Sequence, residues 1–302
     1  MNLDDKTAIV TGAANGLGRA EALALAQAGA RLVLNDVDVG AAEAVAGEIA
    51  AAGGQAVVRQ GDVGDEATSQ ACLRAAIGSF GRPDIVVNNA GVLRDRMVFT
   101  MSADEWDLVL RVHLRGHFLL TKMATAHWRE ESKRSGAPVY ARIINTSSEA
   151  FLLGSPGQPN YAAAKAGIAA LTVVTARSCA RYGVRANAIC PRARTAMTAD
   201  LMGAAPDAGP DPLAPEHVAP LVTYLAGPDG ERINGEVFVV HGGVAAIMDP
   251  PRIRTVFRAE GGVMWTPASI AAALSDLPPS STGFACEDTL SLATETIGFA
   301  AT

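Results

Sequence analysis

Tyr161 and Lys165 stand four residues apart in the run Tyr161-Ala-Ala-Ala-Lys165, and Ser148 lies thirteen residues before the tyrosine. On a helix, positions i and i+4 share a face, so the phenol and the ammonium can sit side by side. A free phenol titrates near pH ~10, too high for a base at neutral pH. A neighbouring positive charge favours the phenolate and lowers that value. Ser148 follows a strand-like run from residue 142 and can hold the oxygen to which a proton is passed. The trio suits proton exchange with a hydroxyl or carbonyl. Taken alone, the pair reads more simply as a surface tyrosine beside a snorkelling lysine, so a second signal is needed.

That signal lies near the other end of the chain, in Thr11-Gly12-Ala-Ala-Asn15-Gly16-Leu17-Gly18. The loop follows a β-branched run and precedes a helical one. Glycines let the backbone approach a pyrophosphate, and the helix start offers N–H groups and the positive end of a dipole. The spacing is GxxxGxG, and a tight turn with no ligand is the alternative. The strand–turn–helix setting favours a nucleotide. Asp36 ends the next strand-like run, 18 residues past Gly18. A carboxylate there can accept both hydrogen bonds of a ribose diol and repels a 2′-phosphate. Asn35 and Val37 beside it supply no arginine for such a phosphate, so the expected cofactor is NAD, the alternative being a solvated capping acid.

Asp62 and Val63 follow the third strand, and Asn88-Asn89-Ala90-Gly91 the fourth. Both sit at C-terminal strand ends, where ligands bind in such sheets, although Asn and Gly also serve ordinary turns. With a nicotinamide present, Tyr161 would pass the proton while hydride moves to or from the cofactor. His113 and His117 share a helix face but have no acidic or cysteine ligand in pattern, so no metal is expected.

These residues must be positioned by alternating elements. Runs 7–11, 31–35, 55–60, 84–88, 142–145, 184–189 and 236–240 read as strands, the last of them closing the sheet. Helices are expected over 21–29, 41–52, 68–77 and 161–182, and from the capping box Ser102-Ala-Asp-Glu105 onward. Strands spaced by helices predict an α/β fold: a Rossmann-like, doubly wound parallel sheet in three α/β/α layers. The stretch 191–215, rich in Ala, Pro, Gly and Asp, reads as a mobile segment on the ligand side. Residues 1–243 form the expected NAD-binding domain, and 244–302 a C-terminal extension. Pro250-Pro251 and Pro278-Pro279 punctuate the extension, and Thr266-Pro267 opens a helix through Leu274. Ile247, Met248, Val256, Phe257, Val263, Met264 and Trp265 are too apolar for a solvated linker and predict packing on the core or a partner.

Composition narrows the classes. With 25 basic and 31 acidic residues, a net charge of −6 argues against nucleic acid. Hydrophobic residues at 49% allow a large core and exclude wholesale disorder. Cys72, Cys179, Cys190 and Cys286 lie far apart, which fits neither a disulfide framework nor a zinc site and suggests a cytoplasmic protein. The start of the chain shows no signal-peptide pattern. The most apolar stretch, 162–180, contains Lys165 and Arg177 and reads as a buried helix, with no membrane span expected.

Together, TGAANGLG, NNAG and Ser148–Tyr161–Lys165 resemble the short-chain dehydrogenase/reductase family over residues 6–243. The resemblance implies that Tyr161 is the general acid/base and that Lys165 binds the nicotinamide ribose and lowers the tyrosine pKa. It implies that Ser148 polarises the substrate oxygen. It places Gly12, Asn15, Gly16, Leu17, Asp36, Asp62, Val63, Asn88, Ala90, Gly91, Tyr161 and Lys165 around the cofactor. Two departures stand out. His113 occupies the place of an asparagine in the proton relay, and Pro191-Arg192 replaces Pro-Gly. NNAGVLRDRMVF, RVHLRGHF and PEHVAPLVTYLA are similar to the (3R)-hydroxyacyl-CoA dehydrogenase domains of peroxisomal multifunctional enzymes, also called 17β-hydroxysteroid dehydrogenase type 4. Histidine is usual in that group, which adds His113 to the catalytic candidates. The implied partners are a lipid-like small molecule, a 3-hydroxyacyl-CoA or a hydroxysteroid, and further copies of the chain in a homodimer or homotetramer. A 3-oxoacyl-acyl-carrier-protein reductase is an alternative that Asp36 disfavours. A non-catalytic nucleotide sensor is another, marked by loss of Ser148, Tyr161 or Lys165, and all three are present.

Overall fold

Unbroken apolar runs make the central strands, because both of their faces are covered. In the computed structural model, which describes residues 2–198, 202–206, 209–249, 256–259 and 264–275, seven parallel strands form one sheet. They are β1 (Thr7–Thr11), β2 (Arg31–Asp36), β3 (Ala56–Gln60), β4 (Ile85–Asn88), β5 (Ala141–Thr146), β6 (Val184–Pro191) and β7 (Val237–His241). An eighth, β8 (Val244–Ile247), pairs antiparallel with β7, and the order is β3-β2-β1-β4-β5-β6-β7-β8. This is the expected Rossmann-like sheet, with one correction. The sheet does not close at residue 240. The turn at Gly242-Gly243 returns the chain as an edge strand, so the extension starts by lengthening the sheet.

Strand alternation divides the core. Ala8 and Val10, Leu32 and Leu34 face α1 (Gly16–Gln27), α2 (Val39–Ala51) and α8 (Ala219–Ala226). Ile9, Val33 and Val86 face α3 (Glu66–Phe80), α5 (Gly116–Ser135) and the end of α7 (Pro159–Cys179). Because β1 to β7 run the same way, the loops after them gather at one end. The chain reverses its direction of travel between β1 and β4, which leaves a crevice there.

The expected capping box opens α4 (Ala103–Leu110): Ser102 accepts the Glu105 N–H, and the Glu105 carboxylate accepts the Ser102 N–H at 2.9 Å. After α4 the chain makes a π-helical turn, Arg111–Arg115, and runs on without a break into α5. Neither that turn, nor the short α6 (Ala150–Leu153), nor α8 was expected. Thr266 caps α9 (Pro267–Leu274) as predicted, but no residue of α9 is buried, and Met264 is 87% exposed. The proline pairs of the extension, Val263 and Cys286 lie outside the described residues. Among those described, no helix is long and apolar enough to cross a membrane.

One buried acid has no account in the sheet's needs. Glu21, on α1, is fully buried, and neither carboxylate oxygen has a hydrogen-bond partner. Burial pushes its pKa up to about 8. The folded state therefore holds this proton to higher pH than the unfolded chain does. The penalty is absent below the ordinary value near 4.5, grows as pH rises towards 8, and is constant above it. Glu21→Met is expected to stabilise the protein by about 1–3 kcal/mol at pH ~9, the usual cost of an unsatisfied buried polar group. Calorimetric melts from pH ~5 to ~9 should show the advantage of the variant widening with pH. Parallel curves would refute the account.

Candidate active site

The gathered loops enclose a cleft of about 870 Å³. At one end the backbone between β1 and α1 forms its wall. Gly12 has φ +63°, and a Cβ on Gly18 would collide with the Gly12 carbonyl oxygen, so both positions demand glycine. Gly12, Asn15, Gly16 and Leu17 all line the cleft. Asn15 precedes the helix in an extended conformation and makes no capping bond with its side chain.

Asp36 ends β2 beside this loop. Its Oδ2 accepts the Ala14 N–H at 3.0 Å, and its Oδ1 accepts the Asp38 N–H at 3.1 Å. The carboxylate is thus fixed at the cleft wall with lone pairs to spare. Asn35 and Val37 flank it there, and neither is cationic. Asp62 and Val63 line the next stretch. The Asp62 carboxylate is engaged by the Gly64 N–H at 2.8 Å and by Arg111 at 2.5 Å, and Arg115 donates to the Gly64 carbonyl at 2.9 Å. Two arginines of the π-helical turn therefore secure the loop after β3.

Ala90 and Gly91 line the cleft, but Asn88 does not. Its buried amide donates to Thr121 Oγ1 at 3.2 Å and to Asn145 Oδ1 at 2.9 Å, tying β4 to α5 and β5. Strand alternation turns the last residue of β4 inward and leaves Asn89 for the cleft. Asn89 Nδ2 donates to the carbonyls of Thr11 and Gly12 at 3.1 and 3.2 Å. The sequence places Asn89 within the ligand-side run Asn88–Gly91, but the cofactor assignment falls there on Asn88, whereas the second of the paired asparagines faces the cleft.

At the other end stand Tyr161, Lys165 and His113, all lining the cleft. Tyr161 and Lys165 lie one turn apart on α7, with the lysine Nζ 5.3 Å from the phenol ring centre. Lys165 is buried and donates to the Thr146 carbonyl at 2.6 Å. Burial holds its pKa down to about 7. The same burial pushes Tyr161 up to about 12, and a hydrogen bond with Ser148 draws it partly back. The expected lowering of the tyrosine by the lysine is thus not what governs the protein alone. Desolvation penalises both charges, and the uncharged forms are favoured.

Ser148 stands outside the cleft lining and joins it through Tyr161. It is half-buried, and its Oγ accepts the Ala150 N–H at 3.2 Å. His113 is buried on the π-helical turn, and its ring meets Tyr161 edge-on at 5.2 Å. Its Nε2 lies 2.8 Å from the Val92 carbonyl oxygen and 3.0 Å from the Val92 backbone nitrogen, the tautomer deciding which of the two it bonds, and Gly91 lies against the same ring. Desolvation, then the Lys165 charge, holds the imidazole well below its ordinary range, so it stays neutral. His117, one turn on, is buried too and is held down to about 3 by desolvation.

The cleft fits a dinucleotide. It has a glycine cradle at a helix start, a fixed carboxylate beyond it, and at the far end an unpartnered Thr146 Oγ1 beside the buried lysine. Joined to a tyrosine that can carry a proton, this is the site of a nucleotide-dependent oxidoreductase. The chain belongs to the short chain dehydrogenase family, whose model matches residues 6–204. It is 54% identical to hydroxyacyl-CoA dehydrogenase ChsB1 of Mycobacterium tuberculosis, over 91% of this chain and 89% of that protein. It is 38% identical to the peroxisomal multifunctional enzyme type 2 of Mus musculus, over 80% of this chain but 32% of that longer protein. A crystal structure of a short chain dehydrogenase from Mycobacterium avium superposes with a TM-score of 0.82 at 42% identity, covering 92% of this chain and 98% of that one.

Proposed function

We propose that the chain is an NAD-dependent dehydrogenase of 3-hydroxyacyl-CoA thioesters, with a hydroxysteroid as the second substrate class. The observation that carries the cofactor choice is Asp36, fixed by two backbone N–H groups and flanked on the cleft wall by the uncharged Asn35 and Val37. The substrate class is supported by what the mycobacterial relative is named for. Bound NAD would supply a hydride acceptor. Gly12, Asn15, Gly16 and Leu17 would hold its phosphates, Asp36 its adenosine ribose, and Asp62 and Val63 its adenine, with Ala90 and Gly91 beneath. Lys165 would hold the nicotinamide ribose.

In this reading Tyr161 would act as the phenolate, which the Lys165 ammonium and the positive charge of oxidised NAD would favour, and take the proton of the substrate hydroxyl at its phenolic oxygen, while Ser148 bonds the same substrate oxygen. His113 holds the phenol ring in place as a neutral partner. The reverse sequence reduces the ketone. The apolar extension, with Trp265 37% and Phe257 39% exposed, supports a homodimer or homotetramer, which light scattering of the full chain would measure. Cysteine usage supports a cytoplasmic setting. The decisive assay follows absorbance at the reduced-nicotinamide band with 3-hydroxyacyl-CoA thioesters, hydroxysteroids and an acyl-carrier-protein thioester, each with NAD and NADP. Turnover confined to the carrier-protein thioester with NADP would favour the reductase reading instead.

A further inference from the structure

Glu149 and Arg192 are 43 residues apart and meet beside Ser148. Arg192 grips the glutamate with two prongs: Nε donates to Oε2 at 2.6 Å and Nη2 to Oε1 at 3.1 Å. Both side chains are nearly buried, 14% and 6% exposed, next to the buried His241 of β7. A pair removed from water in this way is a weak source of stability, because desolvation offsets the attraction, but its fork geometry fixes direction.

What the pair joins gives it a use. Glu149 directly follows Ser148 and leads into α6. Arg192 follows Pro191, and the flanking Pro191 and Ala193 line the cleft while the Arg192 guanidinium is engaged by Glu149. The loop after β5 is thereby stitched to β6 on both sides of Ser148. Before it, the Ser147 N–H donates to the Ile189 carbonyl at 2.7 Å; after it, the Glu149 carboxylate is held by Arg192. Arg192 is anchored in turn by its own N–H, which donates to the Val240 carbonyl at 3.0 Å.

We propose that Glu149 and Arg192 are a positioning pair, which sets the Ser148 hydroxyl against the substrate oxygen. Neither touches the reacting atoms. The inference rests on the role given to Ser148 above.

Removing one partner strands a buried charge, so the main test is the double variant Glu149→Gln/Arg192→Met, with its fold checked by circular dichroism. Its kcat is expected to fall at least about tenfold while the dissociation constant for NAD, read by fluorescence titration, stays within about threefold. Placed on Ser148→Ala, the same double change should cost less than about threefold more, since the group it positions is already gone. Arg192→Lys keeps the charge but loses the fork, and should lose about three- to tenfold. A folded double variant with kcat within about threefold of the parent overturns the proposal, and so does an undiminished loss on the Ser148→Ala background. Should the double variant not fold, Arg192→Lys decides, and a kcat within about twofold of the parent overturns it. A silent Ser148→Ala by itself sinks the reading of Ser148, and this inference falls with it.

Discussion

Tyr161→Phe is expected to lower kcat by at least about 10²-fold, the usual loss when a positioned proton carrier is removed. The substitution keeps the ring, and with it the edge-on contact to His113 at 5.2 Å and the packing over Lys165. It deletes the phenolic oxygen, the one atom that bonds Ser148 and can exchange a proton with the substrate. The loss should therefore appear in kcat, and the affinity for NAD should stay within about threefold in a fluorescence titration. Burial pushes this hydroxyl up to about 12, which suits it to donate a proton and makes it a poor base unless the phenolate is stabilised. Reduction of a ketone should accordingly hold up well into alkaline pH, and oxidation should fade as pH falls. A kcat within about threefold of the parent would remove Tyr161 from the chemistry.

Asp36 should decide between nucleotides. Its two oxygens already accept the Ala14 and Asp38 N–H groups, so its place does not depend on a ligand. Losing charge-assisted hydrogen bonds of about 1.5–3 kcal/mol should weaken NAD roughly 10- to 150-fold in Asp36→Ala. The same change removes the repulsion of a 2′-phosphate. The ratio of kcat/KM for NAD to that for NADP should then fall by more than the NAD loss alone. Asp36→Asn separates the effects, since it keeps the shape and one acceptor but not the charge. If the ratio is unchanged in both variants, Asp36 is only a bracket for the glycine loop.

Much of this was legible from the chain. The strand runs and the Tyr161–Lys165 spacing are local signals, and a doubly wound sheet brings their ends together. What escaped reading was mostly non-local. Asn88 and Asn89 are chemically identical, and only the pleat of β4 decides which one faces the cleft. The Glu149–Arg192 pair joins two separate loops. Glu21 sits in RAEALALAQ, where it reads as the polar face of an amphipathic helix, yet it is fully buried on α1, against which α8 packs. β8 is four residues, VAAI, with alternating exposure, too short for its pattern to separate from a turn.

The π-helical turn at Arg111–Arg115 sets a rule about length. It amounts to one residue inserted into an otherwise continuous helix from Ala103 to Ser135. A five-residue π turn sweeps about the same angle as four α-helical residues, so deleting one residue there would restore regular α-helix and leave Leu120, Ala124 and Trp128 against the sheet. The cost would be local: four α-helical positions cannot aim Arg111, His113 and Arg115 as the wide turn does, at Asp62, Tyr161 and the Gly64 carbonyl. The extra residue thus serves the cleft and not the core. Among related chains, a one-residue gap at this turn should therefore go with loss of the contacts made by Arg111, His113 and Arg115.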